Sequence, residues 1–326
     1  MKALVCRALD GIDSLSVGEL PSPQPARGEV LIAVHSAGVN FPDVLIVQGK
    51  YQFKASLPFA PGCEVAGTVK AVGEGVASVK PGDAVAATMM SGAFAQEALA
   101  READVVPLPA GIDPVLASAF LFTYGTSYHA LKDRALLRSG ETLLVMGAAG
   151  GVGLAAVELG KLMGARVIAA ASSEEKLALC RERGADETID YSREDVRDRL
   201  KAITGGRGVD VAYDPVGGDY TEPAVRSMAW GGRYLVVGFA QNDIPRIALN
   251  LVLLKGCSLV GVFWGEFRRR EPERFRDNSA QLVRWLAERR VSPHISARYP
   301  LARGVEALHD VAGRRVRGKV VILPGG

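Results

Sequence analysis

The sequence predicts an α/β fold in which a doubly wound parallel sheet is inserted into a smaller β-rich domain. Three observations carry this. Residues 1–121 break into short apolar runs separated by Pro and Gly clusters. Residues 122–264 alternate apolar strands with helices, and residues 265–326 leave that rhythm again, as a tail returning to complete the first domain would. A chain of 326 residues is long enough for two domains.

In the first stretch, Val30 to Val34, Val65 to Val72 and Ala84 to Ala87 read as strands. Pro21-Ser22-Pro23 and Lys80-Pro81-Gly82-Asp83 punctuate them, as in a small barrel or sandwich. Residues 115–136 read as a long helix interrupted at Tyr124-Gly125. Next come a strand (Thr142 to Met146), a helix (Val152 to Met163), a strand (Arg166 to Ala171) and a helix (Glu174 to Arg183). Val209 to Tyr213 and Arg233 to Val237 are further strands around a helix near 219–229, and Cys257 to Phe263 is another apolar run. Strands apolar throughout, alternating with helices, indicate a parallel sheet covered on both faces. Arg268-Arg269-Arg270-Glu271 reads as a solvated helix start. In the tail, 273–290 is an amphipathic helix, and Arg298 to Leu301 and Lys319 to Leu323 are strands flanking a helix at 303–313.

Composition excludes several functions. Hydrophobic residues are 48% and charged residues 23%, as in a globular enzyme, and the net charge of +3 is too small for a nucleic-acid partner. The start MKALVCRALDGIDSL has no apolar signal core, and no stretch is apolar for long enough to span a membrane, so a cytoplasmic protein is expected. Cys6, Cys63, Cys180 and Cys257 are scattered without a CxxC, which predicts reduced thiols and neither disulfides nor a cysteine zinc site.

The sharpest motif is Leu143-Leu144-Val145-Met146-Gly147-Ala148-Ala149-Gly150-Gly151-Val152-Gly153. It reads as an apolar strand, a glycine-rich turn and an apolar helix, the context of a dinucleotide fingerprint. Gly150 leaves room for a pyrophosphate, Gly153 lets helix and strand approach, and Ala149 to Val152 carry the free N–H groups of the helix start. Ala148 stands where the first glycine of GxGxxG belongs. NAD enzymes place an acid at the end of the second strand to bind the ribose 2′-OH. Here that end is Ala171-Ser172-Ser173, with Lys176 beyond it, a set that suits a 2′-phosphate and so favours NADPH.

These residues, together with Ala37 to Asp43, Gly49-Lys50-Tyr51, Pro61 to Gly67, Gly82-Asp83, Gly184-Ala185-Asp186, Asp190-Tyr191, Asp214 to Gly218 and Gly318 to Val321, resemble the medium-chain dehydrogenase/reductase superfamily. Within it they resemble the zinc-free quinone oxidoreductase branch, which includes zeta-crystallin, and Val262-Phe263-Trp264-Gly265 resembles a quinone-oxidoreductase-like subgroup. The resemblance implies a Rossmann domain inserted into a GroES-like domain, with the cofactor in the cleft between them. It implies a homodimer or homotetramer formed by edge pairing of Rossmann sheets, with Cys257 to Phe263 as the edge strand or else an ordinary inner one. Zinc enzymes of the superfamily carry Cys where Asn40 stands and His where Cys63 stands, so no metal is expected. The resemblance also implies roles in the site. Asn40 holds the nicotinamide carboxamide or orients the acceptor oxygen, Tyr51 donates to the developing oxyanion or only packs, and Asp43 ties down its loop. Thr126 lies at the pyrophosphate or nicotinamide end, Tyr191 near the adenine ribose phosphate, and Arg314 within reach of a phosphate. Val216, Phe239, Phe263 and Trp264 line the nicotinamide pocket, although the two Phe rings are equally readable as core. Three functions remain open: reduction of quinones by NADPH, reduction of activated C=C bonds in enones or enoyl-CoA thioesters, and non-catalytic NADPH binding of a crystallin kind.

Overall fold

The computed structural model describes residues 1–325. The chain forms two compact units, Met1–Phe122 joined by the segment from Arg270 onward, and Thr123–Arg269. The first stretch holds strands β1 (Lys2–Val5), β2 (Ser16–Glu19) and β3 (Glu29–Gly38), then helix α1 (Phe41–Val47). Strands β4 (Glu64–Val72), β5 (Ala84–Thr88), β6 (Glu97–Arg101) and β7 (Val105–Pro107) follow, then helices α2 (Pro114–Ala117) and α3 (Leu121–Tyr128). The second unit continues with a π-helical turn (His129–Arg134), β8 (Thr142–Met146), α4 (Gly151–Leu162), β9 (Arg166–Ala171) and α5 (Glu174–Glu182). It goes on with β10 (Glu187–Asp190), α6 (Val196–Ile203), β11 (Val209–Asp214), α7 (Thr221–Arg226) and β12 (Met228–Val236). It closes with α8 (Leu249–Lys255), β13 (Ser258–Gly261) and α9 (Trp264–Arg270). The tail adds α10 (Pro272–Ala287), β14 (Ile295–Pro300), α11 (Gly304–Ala312) and β15 (Lys319–Leu323).

The second unit is a parallel sheet in the order β10-β9-β8-β11-β12-β13. Counted from β8, that order is the 3-2-1-4-5-6 of a dinucleotide-binding sheet, and the strand order reverses between β8 and β11. Its inner strands are buried at every position or nearly so, β8 being buried throughout, as the apolar runs predicted. The first unit is a largely antiparallel sheet, β14-β15-β3-β4-β5-β7 with β6 also on β3. The tail completes it, because β15 pairs with β3 through Ile322 opposite Ala37. Its core gathers Ile32, Val65, Phe94, Leu308 and Ile322.

Four details differ from expectation. The helix near 115–136 breaks at residues 118–120 and runs unbroken through Tyr124-Gly125. Ser118 turns out of the helix to bond Ser36 Oγ at 2.8 Å, and a Cβ on Gly38 would lie 2.1 Å from the Ser118 carbonyl oxygen. Gly125 stays helical because the Trp264 ring fills the space where its Cβ would stand, at 2.7 Å. The second chain crossing falls at Arg269 and not at 264, since α9 packs its Trp264 on Gly125 and stacks Phe267 on His129 at 3.9 Å. Arg268, expected in a solvated helix start, is buried near the end of α9 with its guanidinium 4.6 Å from the Trp264 ring.

Candidate functional site

In the second unit the glycine turn sits at the end of β8, beside the point where strand order reverses. Gly147 has φ +57°, and a Cβ there would lie 2.7 Å from Val216 Cγ2. The turn therefore takes its left-handed residue one position before the fingerprint's first glycine, which leaves Ala148 free to be an alanine. Ala148 is buried, and its N–H bonds Ala170 O at 3.0 Å. A Cβ on Gly153 would meet Gly147 O at 2.3 Å, so helix–strand approach demands that glycine. Gly150 differs. Its φ is −78° and the nearest atom to an added Cβ is at 3.4 Å, an ordinary contact, so nothing internal requires it to be glycine. It caps α4 without a side-chain bond, which leaves the leading N–H groups of Gly151 and Val152 to an outside acceptor. Ala149 is buried and contributes backbone. Ser127 Oγ donates to Val152 O at 2.8 Å and shares a 2.9 Å bond with Tyr213, which fixes α3, and with it Thr126, against the first turn of α4.

At the end of β9 the structure brings together the residues expected around an adenosine phosphate. Lys176 Nζ donates to Ser172 Oγ at 3.1 Å, and Ser173 caps α5 by accepting from the Lys176 N–H. Register sets Asp190 opposite Ala171, and Tyr191 follows with its N–H on Ala171 O at 3.1 Å and its ring 4.5 Å from Tyr220. Glu174 and Glu175 are exposed, and Glu174 is paired with Arg181. Arg193 lies 3.9 Å from the Asp190 carboxylate. It stands two residues past Tyr191 with 81% of its side chain exposed.

Beyond β11, Asp214 accepts the N–H groups of Val216 and Gly217 at 2.7 and 3.0 Å and the hydroxyls of Thr221 and Tyr234. Val216 is thus pinned against Gly147, and Phe239 packs beside Gly217. Burial and the Asp214 carboxylate push the Tyr234 hydroxyl well above its ordinary pKa. A cavity of roughly 280 Å³ abuts this clamp, walled by Phe239, Ile244, Pro245, Ile247 and Leu259. The other two residues expected in the nicotinamide pocket lie at the end of β13 and the start of α9. Phe263 lies 60% exposed past β13, and the Trp264 ring is buried on Gly125. Trp264 packs helices, because α9 begins at it and turns its face inward.

The first unit holds a buried polar cluster where the sequence named Asn40 and Asp43. Lys319, opening β15, donates to Asn40 Oδ1 at 2.6 Å, Val39 O at 2.9 Å and Glu64 Oε2 at 3.3 Å. Asn40 Nδ2 donates to Gly38 O and Glu64 Oε2, both at 3.3 Å. Glu64 Oε1 accepts the Phe122 N–H at 2.8 Å. Burial pushes the Glu64 carboxyl up, against the pull of Lys319. Asp43 is fully buried at the start of α1 and accepts the Asn40 N–H at 2.8 Å. Burial raises its pKa to about 6, opposed by the Cys63 thiol and that N–H. Asn40 therefore has its amide nitrogen bonded internally to Gly38 O and Glu64 Oε2. Tyr51 is half-buried on the loop after α1 and packs against the core, and Arg314 is exposed between α11 and β15 with φ +55°. Glu64 and Lys319 fall within Pro61 to Gly67 and Gly318 to Val321, stretches that carry the family resemblance, but the sequence assigned neither a role in the site.

Comparison with known proteins bears on this geometry. Residues 26–110 match the family described as alcohol dehydrogenase GroES-like domain, and residues 151–285 match the one described as zinc-binding dehydrogenase. The chain is 40% identical to a quinone oxidoreductase-like protein 2 homolog of Nematostella vectensis, over 98% of this chain and 88% of that protein. The chain belongs to the zinc-free quinone oxidoreductase branch of the medium-chain dehydrogenase/reductase superfamily. It is 34% identical to a quinone oxidoreductase of Pseudomonas aeruginosa, over 99% of both chains. The crystal structure of Escherichia coli quinone oxidoreductase complexed with NADPH superposes with a TM-score of 0.93 at 28% identity, covering 99% of this chain and 100% of that one.

The matched family description names zinc, and the residues here do not fit it. Asn40 Oδ1 is taken by an ammonium at 2.6 Å, Cys63 lies beside the buried Asp43, and no grouping of three or more His, Cys, Asp or Glu residues suits a metal among the described residues.

Proposed function

We propose that this protein is an NADPH-dependent oxidoreductase that reduces quinones without a metal. The observation that carries the reading is the end of β9, where the strand closes on Ala171 with no acid of its own. Ser172 and Lys176 are bonded there, next to a glycine turn whose Gly150 has no internal reason to lack a side chain. A ribose with a 2′-hydroxyl alone gains nothing from a lysine there, whereas a 2′-phosphate gains a charge-assisted bond. The N-terminus of α4 receives the pyrophosphate, and Val216 and Phe239 offer an apolar surface for a nicotinamide ring. NADPH supplies the hydride. The protein's own part is to bind, orient and exclude water, with Tyr51 donating a hydrogen bond to the oxygen that gains charge. Quinones suit such a site because they spread that charge without a Lewis acid. We also propose a homodimer, supported by the apolar edge of the second unit, and a cytosolic setting, which suits four buried free thiols. No helix among the described residues is long and apolar enough to cross a membrane.

The test is NADPH consumption on adding a simple quinone, with and without EDTA, and cofactor binding by Lys176→Ala. We expect turnover that EDTA leaves unchanged. We expect Lys176→Ala to weaken NADPH by roughly 10- to 100-fold while NADH shifts little, as loss of one charge-assisted bond implies. Equal losses for both cofactors, or activity abolished by EDTA and restored by zinc, overturn the reading.

A further inference from the structure

We infer that Ser127 and Tyr213 are positioning residues that set the donor strength of the diphosphate site. Their hydrogen bonds form a chain from β11 through α3 to the first turn of α4, and the chain polarises the peptide group that carries the Gly153 N–H. The inference deepens the proposed function and rests on it for the identity of the anion.

Chemistry fixes the direction of each bond. A carbonyl oxygen can only accept, so the hydrogen of Ser127 Oγ goes to Val152 O at 2.8 Å. Ser127 Oγ then has only lone pairs to offer Tyr213, and the phenol donates the 2.9 Å bond between them. Burial raises the Tyr213 pKa although this bond lowers it, so the phenol keeps its hydrogen. Both side chains are fully buried, which withholds the chain from solvent.

The chain ends where a phosphate would be held. In α4 the Leu154 N–H is taken by Gly150 O at 2.8 Å. The N–H groups that precede it in the helix, those of Gly151, Val152 and Gly153, have no intrahelical acceptor. The Val152 carbonyl and the Gly153 N–H are the two ends of one peptide group. A hydrogen bond on the oxygen draws electron density from the nitrogen, so the N–H becomes a stronger donor to an anion. Tyr213 adds an anchor. It lies in β11 in register with Val145 of β8, so the chain ties the start of α4 to β11 by a route that does not pass through the glycine turn.

Binding titrations of the whole protein with NADPH, NADH and adenosine 2′-monophosphate test this. The two dinucleotides carry a diphosphate and the third probe does not. Ser127→Ala is expected to weaken NADPH and NADH alike by about 3- to 10-fold, the range of one neutral hydrogen bond, and to leave adenosine 2′-monophosphate unchanged. Because that variant strands a buried phenol, Ser127→Ala combined with Tyr213→Phe is measured beside it and is expected to show the same pattern at a higher Tm. The Gly153 amide proton is expected to move upfield in Ser127→Ala before any nucleotide is added. A merely structural role would lower Tm and either spare the affinities or weaken all three probes together. Dinucleotide affinities equal to wild type in the double variant, losses shared by all three probes, or an unmoved Gly153 proton overturn the inference. If the double variant does not fold, Ser127→Ala alone decides. A wild type that binds neither dinucleotide overturns the proposed function, while the Gly153 proton still reads the chain.

Discussion

Asp43 shows how one side chain ties the site to the stability of the fold. Its carboxyl is buried, and its pKa is raised to about 6 from an ordinary 3.8. Folding therefore favours the protonated form. The stability this group contributes is complete below pH 3.8 and is lost as pH rises through 6, at about 1.4 kcal/mol for each tenfold change in proton affinity. Asp43→Asn removes that dependence and keeps an oxygen for the Asn40 N–H. Urea unfolding of both proteins from pH 4 to 8 is expected to show the variant gaining on the wild type up to about pH 6 and holding its advantage above. A difference independent of pH would mean that Asp43 is not held protonated by burial. Sequence alone marked Asp43 as a loop tie but left its partners out of sight. Glu64 and Lys319 lie 255 positions apart, and only the return of β15 beside β3 brings them together. Local pattern carries no trace of that pairing, whereas the bonds that join Ser172, Ser173 and Lys176 to one another span at most four positions of chain and are readable.

At the scale of elements, the β8–turn–α4 unit separates glycines that serve packing from a glycine that serves a ligand. Gly153→Ala drives a methyl to 2.3 Å from a backbone oxygen and 2.8 Å from Ala148 Cα, and neither atom can move without the turn. It is expected to cost about 1–3 kcal/mol, as overpacking does, and to lower Tm by several degrees. Gly150→Ala meets nothing closer than 3.4 Å at an unstrained φ. Its Tm is expected to stay within a degree or two, while NADPH affinity falls at least tenfold because the methyl faces the phosphate. Thermal melts with and without NADPH measure both; a Gly150→Ala protein that binds NADPH normally would remove the phosphate from that turn. The strands were legible from the same local logic, since unbroken apolar runs such as Thr142–Met146 have one reading once helices flank them. The long helix was not, because what interrupts it is Ser118 reaching Ser36, and what keeps Gly125 helical is the Trp264 ring. Both causes lie far off in sequence, and they override the propensity that placed the break at a glycine.

For the whole molecule, the distribution of exposed apolar side chains points to a second copy of the chain. Twelve large hydrophobic residues are exposed among those described, and eight of them fall within residues 230–263. Leu249, Leu253 and Leu254 stand 72–78% exposed on α8, and Trp230 is 85% exposed beside it, its ring against Gly256. β13 ends the parallel sheet with only β12 as partner, and its Leu259 is 39% exposed. An apolar end strand next to an apolar helix is a template for uncontrolled pairing unless a fixed partner covers it. A two-fold axis at β13 would supply one: the strand would meet its own copy antiparallel, the sheet would continue through both chains, and α8 of each would lie over the join. Such a contact is closed and cannot propagate. Sedimentation at micromolar concentration is expected to give twice the 34.5 kDa of the chain. Leu253→Glu with Leu259→Lys is expected to yield a monomer that still binds NADPH, since neither residue belongs to the glycine turn or the Ser172–Lys176 corner. A wild type that sediments as a monomer, or a double variant that remains dimeric, would place the interface elsewhere and leave the leucines of α8 without a partner.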